Sequence, residues 1–328
     1  MLALTAADIR ALVPMTDAIA LMKQAFRELS AGTATAPLRT PIDVPAMDAV
    51  SLFMPAMVPS VGGLGMKVVS VFPHNPSRGK PTIHAVVCLI NPDDGTPLAI
   101  MDGTYLTALR TGAVSGAATD LLALPDARVL ALFGTGAQAM TQMQAVCAVR
   151  PIIEVRVVAR SRDKGSAFIE RARIEAPDLV DRLHVELDVT NALRGARVVC
   201  TATAATAALF ADTDVEKGAH INAVGAYTPA MQEVPAETVA RAVIVVDQRA
   251  AAWAEAGDLV IARDRGLITA ESIHGELGEL VSGARPGRTD AAQVTFFKSV
   301  GNAVQDVAVG RHAVDLAVAQ GRGQTIDL

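Results

Sequence analysis

The stretch Ala127-Arg-Val-Leu-Ala-Leu-Phe-Gly134-Thr-Gly136-Ala-Gln-Ala139 decides the fold. A run of apolar residues ends in G-x-G-x-x-A, and the residues beyond it, through Val149, read as a helix. Gly134 permits the tight turn, Gly136 lets the backbone approach a pyrophosphate, and Ala139 lets the helix pack closely on the strand. Phosphates then sit at the helix N-terminus, where free N–H groups and the dipole favour anions. A second strand is predicted at 154–159, about 20 residues on, as a dinucleotide-binding βαβ unit requires. Further strands at 184–187, 197–202, 220–224 and 243–247 alternate with helical segments, which predicts a parallel sheet covered on both faces.

The choice of dinucleotide lies at the end of the second strand, Glu154-Val-Arg-Val-Val-Ala159-Arg160-Ser161-Arg162. An acidic residue there holds the ribose 2′-hydroxyl of NAD, whereas Arg meets the 2′-phosphate of NADP. Ala159 is followed by Arg160, and Glu154 opens the strand, at the wrong end. The reading is NADPH, with NADH less preferred.

Outside this region the texture differs. The first thirty residues read as helical: Thr5 with Asp8 and Thr16 with Asp17 offer caps, and Ile19, Met22, Phe26 and Leu29 recur at helical spacing. From Pro37 to Met101, short apolar runs at 51–54, 65–72, 84–90 and 97–101 alternate with Pro and Gly, which predicts an antiparallel sheet. A helix is expected from Leu106 to about Leu124, and another from Val300 to about Ala319 that returns to the N-terminal part. The domains expected are 113–303 for the nucleotide, inserted between 1–112 and 304–328, which would bind substrate and dimerise.

Composition narrows the function classes. Among 328 residues, 51% are hydrophobic and 19% charged, which argues for a globular chain rather than a disordered one. The 29 basic against 34 acidic residues leave a net charge of −5, with no basic block for nucleic acid or anionic lipid. At 3%, aromatics are too few for base-stacking platforms. Cys88, Cys147 and Cys200 lie apart in apolar runs and read as reduced thiols of a cytoplasmic protein. The six histidines form no tight zinc-type cluster, so no metal is expected. There is neither a signal-peptide pattern nor an apolar run of membrane-spanning length.

Lys67 shares a strand face with Val69 and Val71, so it must snorkel outward or find an anionic partner. Arg39 and Arg110 also stand in apolar surroundings, and Arg suits bidentate capture of a carboxylate. Asp102 and Asp306 read as helix caps or as carboxylates that hydrogen-bond between domains.

Taken in order, Pro37-Leu-Arg-Thr40, Phe53-Met-Pro-Ala56, Gly65-Met-Lys-Val68, Gly95-Thr-Pro-Leu-Ala-Ile-Met-Asp-Gly103, Leu106-Thr-Ala-Leu-Arg-Thr111, Gly134-Thr-Gly-Ala-Gln138 and Lys298-Ser-Val-Gly-Asn302 resemble the ornithine cyclodeaminase/mu-crystallin family. The resemblance covers nearly the whole chain. It implies an α/β protein: a Rossmann-type parallel-sheet domain inserted in a second, α+β substrate-binding and dimerisation domain, with the active site in the cleft between them. The implied partners are a small anionic substrate and a second copy of the chain. Arg39, Lys67 and Arg110 look like the family's substrate-carboxylate residues, and Met54, His84, Tyr227 and Thr228 are placed with them. Thr111, Gly134, Gly136, Ala137, Gln138, Arg160, Ser161, Arg162, Thr201, Ala202, Thr203, Val224, Gly225, Ala226 and Asn302 look like cofactor contacts.

The family contains cyclodeaminases, amino-acid dehydrogenases and cyclic imino-acid reductases. Where the cyclodeaminases resemble Gly-Asp-x-Pro-Gly, this chain has Ala226-Tyr227-Thr228-Pro229-Ala230. A Tyr, with an ordinary pKa of about 10, is no carboxylate base at neutral pH. That departure points to NADPH-dependent reduction of Δ1-pyrroline-2-carboxylate and Δ1-piperideine-2-carboxylate to L-proline and L-pipecolate. Lys67 or an ordered water is the first candidate for the proton donor, with Tyr227 or His84 behind. The alternatives are a deaminating enzyme acting on a linear amino acid and a non-catalytic NADPH-binding protein.

Overall fold

The computed structural model describes residues 1–327. The chain divides into two compact units, residues 1–110 with 302–328 and residues 111–301, each boundary two residues earlier than expected.

In the first unit, β1 (Leu2–Leu4), α1 (Ala6–Leu12) and α2 (Met15–Ser30) precede five consecutive antiparallel strands. These are β2 (Thr40–Val44), β3 (Ala49–Val58), β4 (Gly63–Val71), β5 (Ile83–Ile90) and β6 (Pro97–Asp102). Two expectations need correction. Residues 2–4 form a strand rather than helix, and β1 lies parallel to β6, so the sheet is mixed rather than wholly antiparallel. Three residues are too few for a periodic pattern to show in sequence. The helix α3 (Gly103–Leu122) then runs on into the second unit; the Asp102 carboxylate accepts from Tyr105 N–H at 2.7 Å and so starts it.

The second unit alternates strands and helices: β7 (Val129–Phe133), α4 (Ala139–Val149), β8 (Glu154–Val158), α5 (Arg162–Glu175), β9 (Leu183–Glu186), α6 (Val189–Leu193), β10 (Val198–Thr201) and β11 (His220–Ala223). It continues through α7 (Ala236–Arg241), β12 (Val243–Val246), α8 (Arg249–Glu255), α9 (Gly257–Asp264), β13 (Ile273–Glu276), α10 (Leu277–Val281) and β14 (Thr295–Lys298). The eight strands lie in the order β13-β12-β14-β11-β10-β7-β8-β9, all parallel. The sequence reading missed β13 and β14. The chain steps outward from β7 to β9 and then crosses back to β10 on the other side of β7. That reversal makes the β7–β10 gap the topological switch point, where ligands bind in open parallel sheets.

The chain returns to the first unit with α11 (Ala303–Gln320) and β15 (Gln324–Thr325), which completes a seven-stranded sheet, β15-β1-β6-β5-β4-β3-β2. Asn302 caps α11: its side chain accepts from Val304 N–H at 3.0 Å, while Gln305 accepts from Asn302 N–H at 2.8 Å. The Ala/Val-rich side of α11 packs on one face of this sheet, over β3, β4 and β5.

Candidate active site

In the first unit the antiparallel register lines up one face of the sheet. Met54 on β3, Lys67 on β4, Val87 on β5 and Met101 on β6 are directly paired in turn. All four are buried, with Lys67 only 1% exposed. A buried ammonium needs an anion, and α11 supplies it: Lys67 Nζ lies 2.8 Å from Asp306 Oδ2. The same carboxylate accepts from Arg110 Nε through Oδ1 at 3.1 Å, and Arg110 Nη1 donates to Gln305 Oε1 at 2.8 Å. Gln305 also donates to the Arg110 carbonyl at 3.3 Å, so the guanidinium is held at both ends of its own residue.

Two buried cations thus share one buried carboxylate, which leaves one positive charge in excess. Burial pushes the Lys67 pKa down from 10.5 to about 8, and the Arg110 charge pushes the same way, as does Arg39 more weakly; Asp306 opposes all three. Arg39, half-buried just ahead of β2, is therefore electrically part of the cluster. A net cationic cluster with apolar neighbours Met54 and Val87 is suited to a small carboxylate. Asp306, expected to cap a helix or to hydrogen-bond between domains, instead pairs with both cations inside the first unit; it lies in the first turn of α11, where the dipole favours a carboxylate. One turn before Arg110, and so on the same side of α3, the Thr107 hydroxyl is buried without a partner among the described residues.

His84 is not part of this arrangement. It pairs with Ser70, whose side chain alternates to the face opposite Lys67, and it is exposed. Its assignment as a substrate residue is corrected on that ground.

In the second unit, β7 runs into the glycine loop. Gly134 has φ +109°, and a Cβ there would lie 2.6 Å from the Ala202 carbonyl, so the turn excludes larger residues. A Cβ on Gly136, by contrast, meets nothing within 4 Å, which leaves the backbone open to a ligand. Ala139 is fully buried at the start of α4. The residue before it, Gln138, makes no side-chain cap, and its Oε1 is buried without a partner among the described residues. Open backbone and an uncapped helix start fit a dinucleotide pyrophosphate. Ala137 is exposed beside them, and the Thr111 carbonyl is held by Gln142 at 3.0 Å. At the end of β8, Arg160, Ser161 and Arg162 are exposed, and Ser161 caps α5. Glu154 is engaged at the other end of the strand by Arg156 at 2.7 Å and His184 at 3.2 Å.

The loops after β10 and β11 differ from expectation. Thr201 is fully buried, and its hydroxyl donates to Glu233 at 3.0 Å; Thr203 donates to the same carboxylate through both N–H and hydroxyl. The Gly225 and Ala226 N–H groups donate to it as well, and Val224 N–H donates to the Thr201 carbonyl at 3.0 Å. These groups, predicted as cofactor contacts, spend their hydrogen bonds on holding the loops. Asn302, predicted likewise, uses its side chain to cap α11. Tyr227 and Thr228 are half-buried on the loop after β11. Glu233 had no sequence signal, because its partners lie up to 32 residues away.

Residues 1–321 match the ornithine cyclodeaminase/mu-crystallin family. The chain belongs to that family. A Delta(1)-pyrroline-2-carboxylate reductase of Bacillus cereus is 38% identical over 330 residues, covering 100% of both chains. Among solved structures, Thermococcus litoralis Delta(1)-pyrroline-2-carboxylate reductase in complex with NADH and L-proline has a TM-score of 0.94 at 35% identity, covering 99% of this chain and 100% of that one. An archaeal alanine dehydrogenase dimer with bound NAD has a TM-score of 0.91 at 33% identity, covering 100% and 99%. Like these family members, the chain joins a parallel nucleotide-binding sheet to a second α/β unit.

Proposed function

We propose that the protein is an NADPH-dependent reductase of cyclic imino acids, converting Δ1-pyrroline-2-carboxylate to L-proline and Δ1-piperideine-2-carboxylate to L-pipecolate. The observation that carries this reading is the Lys67–Asp306–Arg110 cluster, two buried cations on one carboxylate with a charge left over for an anionic substrate. Arg110 and Arg39 hold the substrate carboxylate, and Met54 lines the apolar side of the ring. A dinucleotide held at the glycine loop would supply the hydride needed at C2 of the C=N bond. Lys67, whose pKa of about 8 leaves it largely protonated at neutral pH, supplies the positive charge and a proton near the ring nitrogen. Tyr227 and Thr228 shape the nucleotide-side loop. The relatives that reduce pyrroline-2-carboxylate support the substrate class.

The cofactor is held at Gly134, Gly136, Ala137 and Gln138. The absence of a carboxylate at the end of β8, together with Arg160 and Arg162, supports NADPH over NADH. The protein acts as a homodimer through the sheet face opposite Lys67. There Phe53, Met66, Val68, Val86, Cys88 and Ile100 are paired in register and only half-buried. An apolar face of this kind suits an interface between copies, and the alanine dehydrogenase relative is a dimer. The free thiols Cys88, Cys147 and Cys200 suit a cytoplasmic location, and no described helix is long and apolar enough to cross a membrane.

Purified protein given NADPH and Δ1-pyrroline-2-carboxylate should consume NADPH and release proline. A protein inert in that assay that instead releases ammonia from ornithine with NAD would refute the reading.

A further inference from the structure

Glu233 lies between β11 and α7 and is fully buried. Its Oε1 accepts from Thr203 N–H at 2.6 Å and the Thr203 hydroxyl at 2.8 Å. Its Oε2 accepts from the Thr201 hydroxyl at 3.0 Å, Gly225 N–H at 2.7 Å and Ala226 N–H at 3.1 Å. A carboxylate offers about four lone-pair sites, so five donors saturate it. Those donors come from the end of β10 and the loop that follows it, and from the loop after β11.

The loop after β11 is thereby closed into a ring, its start tied to a residue seven and eight positions on. The far end of the ring is fixed as well. Asp258 Oδ1 accepts from Glu233 N–H at 2.7 Å and Val234 N–H at 3.0 Å, while Oδ2 pairs with Lys298 Nζ at 2.9 Å, both side chains being fully buried. Gly257 leaves room for the ring: a Cβ there would fall on the Met231 carbonyl and 2.6 Å from that of Thr228. Gly225 is similarly confined, by the Thr203 carbonyl and the Glu233 carboxylate.

None of this is needed to join the strands, because β10 and β11 already pair along their full lengths. Burying a carboxylate and an ion pair is costly compared with apolar packing, so the arrangement calls for a role in specificity or geometry. Burial raises the Glu233 pKa and Asp258 adds to the rise, while Lys298 and the hydrogen bonds from Thr203 hold it down.

We propose that Glu233 is a positioning residue for dinucleotide binding: its carboxylate ties the loop after β10 to the loop after β11 and presets the backbone that the cofactor meets, with Tyr227 carried on the same closed ring. The inference rests on reading these loops as part of the cofactor's seat. It does not depend on which substrate is reduced.

The test is the dissociation constant of NADPH, followed by fluorescence, with melting temperature measured alongside. In Glu233→Gln an amide N–H₂ replaces one acceptor and faces donors. The Kd should rise about tenfold or more, in line with losing hydrogen bonds to a charged acceptor. KM for the imine at saturating NADPH should change little. Thr203→Val removes only the hydroxyl's hydrogen bond to Glu233, leaving the N–H bond and the carboxylate; it should raise Kd a few-fold, and less than additively when combined with Glu233→Gln, as residues acting through one network do. A wild-type Kd in Glu233→Gln, with only the melting temperature lowered, overturns the proposal. If Glu233→Gln does not fold, a wild-type Kd in Thr203→Val overturns it. Neither outcome depends on turnover, so an enzyme inert toward cyclic imines but showing the Kd shift would sink the functional reading alone.

Discussion

Replacing Asp306 with Asn keeps the shape of the side chain and removes the charge that Lys67 and Arg110 share at 2.8 and 3.1 Å. The two cations respond differently. Lys67 can escape by losing its proton, and from a pKa of about 8 that costs on the order of 1 kcal/mol at pH 7. Arg110 stays charged, and it forfeits a charge-assisted hydrogen bond worth roughly 1.5–3 kcal/mol. Together these give a stability loss of roughly 3–4 kcal/mol, in the range found when one partner is removed from a buried ion pair. With Asp306 gone, burial, Arg110 and Arg39 all continue to depress the Lys67 pKa, so the fall in activity with rising pH, expected near 8 in the wild type, should move to lower pH. At pH 7 kcat/KM should then drop about twofold or more, because the protonated fraction shrinks. Urea denaturation at pH 7 measures the first quantity, and a pH–rate profile from 5.5 to 9.5 measures the second. An Asp306→Asn protein within about 1 kcal/mol of wild type, or one whose alkaline limb stays near pH 8, would refute the charge-sharing account.

Three further outcomes are expected. The Lys67 pKa is depressed in the folded state, so the unfolded chain holds its proton longer; wild-type stability should therefore rise from about pH 8 to 10.5, by up to about 3 kcal/mol, and Lys67→Met should lack that rise when the two are compared by denaturation. Ala159→Asp places a carboxylate at the end of β8 and should shift the NADPH-to-NADH ratio of kcat/KM toward NADH by about tenfold; an unchanged ratio would remove the role given to that position. His84→Ala should leave kcat/KM within about twofold, in keeping with an exposed substitution away from the site, and a large loss would contradict its place on the far sheet face.

The sequence by itself determined the nucleotide-binding sheet and its glycine loop. Strand, turn and helix there are local: Gly134 and Gly136 report backbone conformation directly, and the apolar runs of β7, β8, β10, β11 and β12 are long enough to be read from pattern. It also singled out Lys67, because a cation among alternating apolar residues demands a partner, and the tertiary structure alone showed that the partner is Asp306, 239 residues away in sequence. The same limit explains the other misses. β1 is parallel to β6 only because the chain returns across 95 or more residues, β14 inserts between β11 and β12 from the far end of the unit, and Glu233 gathers donors from two loops. Local conformation is written in neighbouring residues. Which buried charges meet is decided by packing, since a carboxylate's pairing energy depends on where the fold carries it and not on what stands beside it in the chain.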